Sequence, residues 1–131
     1  MSRSKKQRRV LGGMLGISVA AIGLLMLQDP LPQDPLYHLF SDARRIMGIP
    51  NFWNVISNII FILAGILGVV KLDLLNSLKI MDANRWAYRL FFISLVFIGI
   101  GSSYYHWSPT NNTLVWDRLP MTLAFMSLFS I

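Results

Sequence analysis

The chain has 131 residues, of which 54% are hydrophobic and only 14% charged, and its net charge is +6. A soluble domain of this length needs far more polar surface, so lipid is the solvent for most of these side chains. All six acids are aspartates and cysteine is absent, which excludes disulfides, thiolate metal sites and cysteine nucleophiles and leaves any metal to His, Asp or Asn.

The N-terminal stretch carries Arg3, Lys5, Lys6, Arg8 and Arg9 and leads into an apolar run from Val10 to Leu27. That run is long for a signal-peptide core and close to the roughly 20 residues that cross a bilayer. Residues 1–28 therefore read as a basic tail and an uncleaved anchor, with a cleaved signal as the alternative. Gly12 and Gly16 form a GxxxG pair, a weak sign of close helix packing. Pro30, Pro32 and Pro35 then break the apolar pattern, because proline cannot continue a helix. A short amphipathic helix is expected over Tyr37 to Met47, closed by Gly48 and Pro50, with Tyr37, Phe40, Trp53, Arg44 and Arg45 at headgroup level. His38 reads as a loop residue at the interface rather than a ligand.

A second span is expected from about Phe52 to Val70 and a third from Trp86 to Tyr105. A fourth is expected to begin near Pro120 and to be cut short at Ile131. The fold class is therefore an all-α polytopic transmembrane bundle, truncated within its fourth helix, with residues 29–131 as the multi-helix part. The N-terminus and the connection holding Lys71, Lys79, Arg85 and Arg89 contain nine of the twelve basic residues, which places both in the cytoplasm and Asp29–Asn51 and Trp107–Leu119 outside. Because the basic residues sit at the ends of apolar runs and form no stripe with aromatics, they give no reason to expect nucleic acid as a partner. The sequon Asn111-Asn112-Thr113 lies on the expected outer side and carries no meaning in a bacterial protein.

Polar groups inside the spans point to where chemistry could lie. Asn51, Asn54, Ser57 and Asn58 fall on one helical face, which must turn towards other helices or a wet cavity. Inter-helix hydrogen bonding and ligand contact are both open for them. Ser102 and His106 lie one turn apart at the end of the third span, and Trp116, Asp117 and Arg118 follow after a short connection. An ionisable residue at membrane depth is a functional candidate because it needs a partner, a metal or water. On spacing alone, a functional site and interfacial anchoring by His106 and Asp117 are both open.

Three ordered motifs carry a resemblance. The stretch from Phe40 to Phe61, with Asp42, Arg44, Gly48, Ile49, Pro50, Asn51, Phe52, Trp53, Asn54, Val55, Ser57 and Asn58, resembles the first core helix of the alkaline ceramidase family. Gly101, Ser102, Ser103, Tyr104, Tyr105 and His106, and then Trp116, Asp117, Arg118, Leu119, Pro120 and Met121, resemble the Ser-x-x-x-His and Asp motifs of that family and of the wider superfamily with the adiponectin-receptor-like proteins. The likeness covers Tyr37 to Met121, and the extra N-terminal helix looks like the bacterial branch, which implies an inner-membrane location.

The resemblance implies a seven-helix core and a zinc ion held by three histidines, hydrolysing the amide of ceramide or a related lipid to a sphingoid base and a fatty acid. It makes His106 the first zinc ligand and places Ser102 and Asp117 beside the metal as catalytic groups. The other two ligands belong to a His-x-x-x-His motif on a later helix, beyond this sequence, so the 131 residues alone are expected to show no hydrolysis and weak zinc binding. Serine here is an electrostatic helper and not a nucleophile. One departure is that eukaryotic members bind calcium through acids near the first core helix, where this chain has Asn51 and only Asp42 nearby; a calcium site is not expected. A receptor-like relative and an inactive remnant are the alternative readings.

Overall fold

The computed structural model describes residues 4–29, 31–74 and 84–131, which leaves Arg3, Pro30 and Lys79 of the sequence reading outside the described residues. The chain forms two compact units, Met1–Pro32 and Gln33–Ile131. The described residues are helical, with a single isolated β-bridge and no strand.

The first unit is helix α1, Lys5–Met26. Ser4 starts it with a reciprocal cap: its hydroxyl accepts from the Gln7 amide at 3.3 Å, and the Gln7 side chain accepts from the Ser4 amide at 3.0 Å. At about 1.5 Å per residue this helix is roughly 33 Å long, enough to cross the hydrocarbon core of a bilayer. Within this unit nothing covers its described apolar side chains, and a methyl group added at Gly12 or Gly16 would meet nothing within 4 Å.

The second unit opens with a 3-10 turn, Pro35–His38, and not with the amphipathic helix expected over Tyr37–Met47. The backbone explains the difference. Met47 and Gly48 have φ of 51° and 81°, outside the right-handed helical region, and fold into a tight turn closed by mutual amide bonds between Ile46 and Ile49 at 3.1 and 2.9 Å. Pro50 also steers Ile49 away from helical geometry.

Next come α2, Phe52–Ile56, and α3, Ile59–Leu74, together covering the expected second span and four residues more. The interruption at Ser57 and Asn58 follows from side-chain chemistry. The Asn54 carbonyl accepts from the Ser57 hydroxyl at 3.3 Å and from the Asn58 side-chain amide at 2.8 Å, while the Asn58 backbone N–H shifts to the Val55 carbonyl at 3.4 Å. Local polar side chains thus compete with the helical ladder and break it.

Helix α4, Arg85–Trp107, matches the expected third span to within two residues at each end. Helix α5 runs from Asn111 to Leu128, so the fourth helix begins nine residues before Pro120 and takes in most of the expected outer loop. Thr110 starts it with a second reciprocal cap, its hydroxyl accepting from the Thr113 amide at 3.2 Å and Thr113 answering at 3.0 Å. Pro120 therefore sits inside the helix and not at its first turn.

Helices α3, α4 and α5 pack as successive antiparallel neighbours with α4 in the middle. Small residues set the separations. A Cβ at Gly99 would lie 2.8 Å from the Asn58 carbonyl oxygen, so α4 could not seat against the α2–α3 break with any larger residue. Among the described residues, Lys5–Leu25, Phe52–Leu74 and Arg85–Trp107 are long and apolar enough to cross a membrane. The result is an all-α helical bundle whose outer surface is largely apolar.

The two ends of the second unit differ in chemistry. One end holds Asp73, paired with Arg89 and lying 3.8 Å from Arg85, whose guanidinium also donates to the Leu72 carbonyl at 2.6 Å. The other end collects the 3-10 turn, the end of α4 and the start of α5, and with them every side chain singled out for chemistry.

Candidate functional site

Ser102 and His106 are one turn apart in the last part of α4, and Asp117 comes from α5, about 9 Å along the axis from its first residue. Ser102 and Asp117 are buried at 6% and 8% exposure, while His106 is half-buried. The two helices come together here for a backbone reason. Pro120 has no N–H to give the Trp116 carbonyl four residues earlier, so that oxygen lacks its helical donor. Gly101 faces it: a Cβ at this position would collide with the Trp116 carbonyl and lie 3.5 Å from the Asp117 amide nitrogen. A proline on one helix and a glycine on the other thus bring Ser102 and Asp117 into one layer.

Polar satisfaction in this layer is incomplete. Among the described residues, His38 Nε2, His106 Nδ1 and Asp117 Oδ1 are buried with no hydrogen-bond partner, the last two on adjacent helices. Such atoms cost stability unless something else is bound to them, and they cluster at functional sites. No group of three His, Cys, Asp or Glu side chains among the described residues stands close enough to hold a metal ion. The described residues thus bring His106 and Asp117 to this layer without a group of three ligands.

The polar face of the second span divides. Asn51, in the left-handed conformation at φ 46°, makes no cap to its own helix and instead donates from its side chain to the His106 carbonyl at 2.8 Å. Asn54 reaches the Asp42 carbonyl at 3.4 Å, Asn58 is buried against its own helix, and Ser57 is exposed. Ser103, not singled out in the sequence, bonds the Val55 carbonyl at 3.1 Å and ties α4 to α2.

The missing cap of α2 comes from eleven residues upstream. Asp42 accepts from the Trp53 amide at 2.9 Å with one oxygen and from Arg44 at 2.5 Å with the other. The Arg44 guanidinium and then the Trp53 N–H hold its carboxyl below the usual carboxylate range, outweighing the effect of desolvation.

Sequence reasoning placed His38 in an interfacial loop and Phe40 and Tyr105 within the motifs, but did not foresee their contacts with one another. His38 is half-buried, with Nδ1 2.9 Å from the Tyr105 hydroxyl, and Phe40 packs edge-on against the His106 ring at 4.5 Å between centroids. A partner 67 residues away leaves no local pattern, and the proline-rich setting of His38 suggested only a loop.

A family model described as Ceramidase matches residues 46–131, about two thirds of the chain, starting later than the resemblance read from the motifs and extending further. No curated protein and no solved structure matches the chain. The matched stretch begins at the turn that seats Asn51 beneath the His106 carbonyl and runs through Ser102, His106 and Asp117, and the chain belongs to the ceramidase family.

Proposed function

We propose that this protein is a membrane-embedded, zinc-dependent amidase that hydrolyses the amide bond of ceramide or a closely related lipid, and that Ser102, His106 and Asp117 belong to its reaction site. The observation that carries this reading is the pair of buried, unpartnered atoms, His106 Nδ1 and Asp117 Oδ1, on adjacent helices within the family match.

The residues fit one position of a zinc site. His106 offers a buried ring nitrogen, Nδ1, with no hydrogen-bond partner among the described residues, and it lies in the last turn of α4, where the helix dipole favours a cation. The reading requires the remaining ligands from elsewhere in the protein, since the described residues contain no group of three. Zinc with three protein ligands supplies a Lewis acid and a water acidified to a pKa of about 7.

The chain's own residues then have distinct tasks. Asp117 Oδ1 accepts a hydrogen bond from the attacking water, orients it and takes its proton as general base. The Ser102 hydroxyl donates to the oxygen of the amide carbonyl as negative charge develops there. Low water access at these buried positions strengthens both interactions. The apolar outer surface suits a substrate that arrives from the bilayer.

The test is ceramide turnover in membranes by the protein as its gene encodes it, not by the 131 residues alone. Asp117→Asn, which keeps the shape and removes the base, should lower kcat by about 10²- to 10⁴-fold. Ser102→Ala should lower it by about 10²- to 10³-fold, as for loss of one oxyanion donor. Unchanged turnover in either variant would contradict the role assigned to that residue.

A further inference from the structure

The segment from Gln33 to Phe40 touches both helices that carry the site. The Gln33 amide donates to Asn111 Oδ1 at 2.9 Å on the first turn of α5. The Tyr37 hydroxyl accepts from Arg118 at 3.0 Å, with the guanidinium 5.4 Å from the ring centroid, which ties the segment to α5 next to Asp117. His38 Nδ1 meets the Tyr105 hydroxyl at 2.9 Å on α4. Phe40 then lies edge-on against Tyr105 at 5.6 Å and against His106 at 4.5 Å. The strap is stiffened locally by Pro35 and by Asp34 Oδ1, which accepts from the Leu36 amide at 2.8 Å.

Tyr105 is only 3% exposed, and a buried phenol needs a hydrogen-bond partner. His38 is the partner the structure provides. Tyr105 directly precedes His106, so whatever fixes the phenol fixes the last turn of α4. Asn51 grips that turn from a second direction, through the His106 carbonyl.

We infer that His38 is a positioning residue for the reaction: by anchoring the Tyr105 hydroxyl, it and Phe40 hold the His106 ring in the orientation the site uses. This rests on His106 belonging to the reaction site as proposed above. A general packing role would need only the ring of His38, whereas positioning through Tyr105 needs the hydrogen bond at Nδ1. The two are separable, because phenylalanine keeps a ring without the bond and asparagine places a hydrogen-bonding atom near the Nδ1 position without the ring.

The experiment uses the protein as its gene encodes it and measures ceramide turnover in membranes for the unaltered form, His106→Ala, His38→Phe, His38→Asn, Tyr105→Phe and the double variant His38→Phe with Tyr105→Phe. Tryptic cleavage after the exposed Arg44 and Arg45 reports independently on whether the strap stays docked. The expected result is a fall in kcat of about ten- to a hundredfold for His38→Phe and for Tyr105→Phe, the scale of a small misplacement of a reacting group. KM should stay within about twofold, because ground-state binding is untouched. The double variant should be no worse than either single one, His38→Asn should recover most of the rate, and cleavage by trypsin should not accelerate. Unchanged kcat in the two phenylalanine variants would overturn the inference, as would a loss that asparagine does not recover and that accompanies faster cleavage. If the unaltered protein fails to turn over ceramide, or His106→Ala retains full activity, the functional reading itself is refuted and the inference falls with it; these controls show that failure before any strap variant is compared.

Discussion

Asp42 shows how one side chain can organise a junction. It caps α2 from outside, pairs with Arg44, and receives the Asn54 side chain on its carbonyl. Because its folded-state pKa is depressed, the stability it contributes is present above the unfolded carboxylate value of about 3.9 and is lost as pH falls through the lower folded value. Thermal unfolding followed by tryptophan fluorescence should therefore show Tm falling on acidification below about pH 4, with a smaller fall in Asp42→Asn than in the unaltered protein. At neutral pH Asp42→Ala should lower Tm more than Asp42→Asn, since asparagine still accepts from the Trp53 amide. An identical Tm for all three at neutral pH would show that the cap contributes nothing.

At the scale of elements, backbone carbonyls decide where helices break and where they meet. At Asn54 two side chains capture a carbonyl and interrupt the ladder between α2 and α3. At Trp116 the proline four residues on gives no donor, and Gly101 of α4 seats against the carbonyl. Gly101→Ala puts a Cβ into backbone that cannot move aside as a flexible side chain would, and should cost about 1–3 kcal/mol, the usual range for overpacking. Gly12→Ala meets open space and should change stability by less than about 0.5 kcal/mol in the destabilising direction, or raise it slightly through helix propensity. Chemical unfolding of the two variants in detergent measures the contrast.

These elements also show what was legible. The apolar runs gave α1, α3 and α4 to within a few residues, because span length is fixed by bilayer thickness. Ser102 and His106 were recognisable as neighbours from helical spacing alone. The start of α5 was not, since proline reads as a helix start while the Thr110 cap lies ten residues earlier in a polar stretch that looks like a loop. The expected helix over Tyr37–Met47 failed because amphipathic spacing says nothing about the positive φ angles at Met47 and Gly48. His38 and Tyr105 could not be paired, as nothing local encodes a contact between a loop and a distant helix.

For the whole molecule, the bundle of the second unit has a charged end built on Asp73, Arg85 and Arg89 and an opposite end carrying the candidate site. From the positive-inside rule we propose that the first faces the cytoplasm. Because the chain contains no cysteine, single cysteines placed at Lys71 and Asn112 should label with an impermeant thiol reagent from opposite faces of sealed vesicles. Labelling of both from one face would refute the assignment. This proposed orientation would put the candidate site at the outer side.

The central claim is that His106 belongs to the reaction site of a lipid amidase. Ceramide hydrolysis by membranes containing the protein as its gene encodes it, compared with the same membranes carrying His106→Ala at matched protein level, tests this most directly. Release of free sphingoid base by the unaltered protein and its loss to background in the variant are the expected result. Equal release from both, with expression and trypsin resistance unchanged, would contradict it.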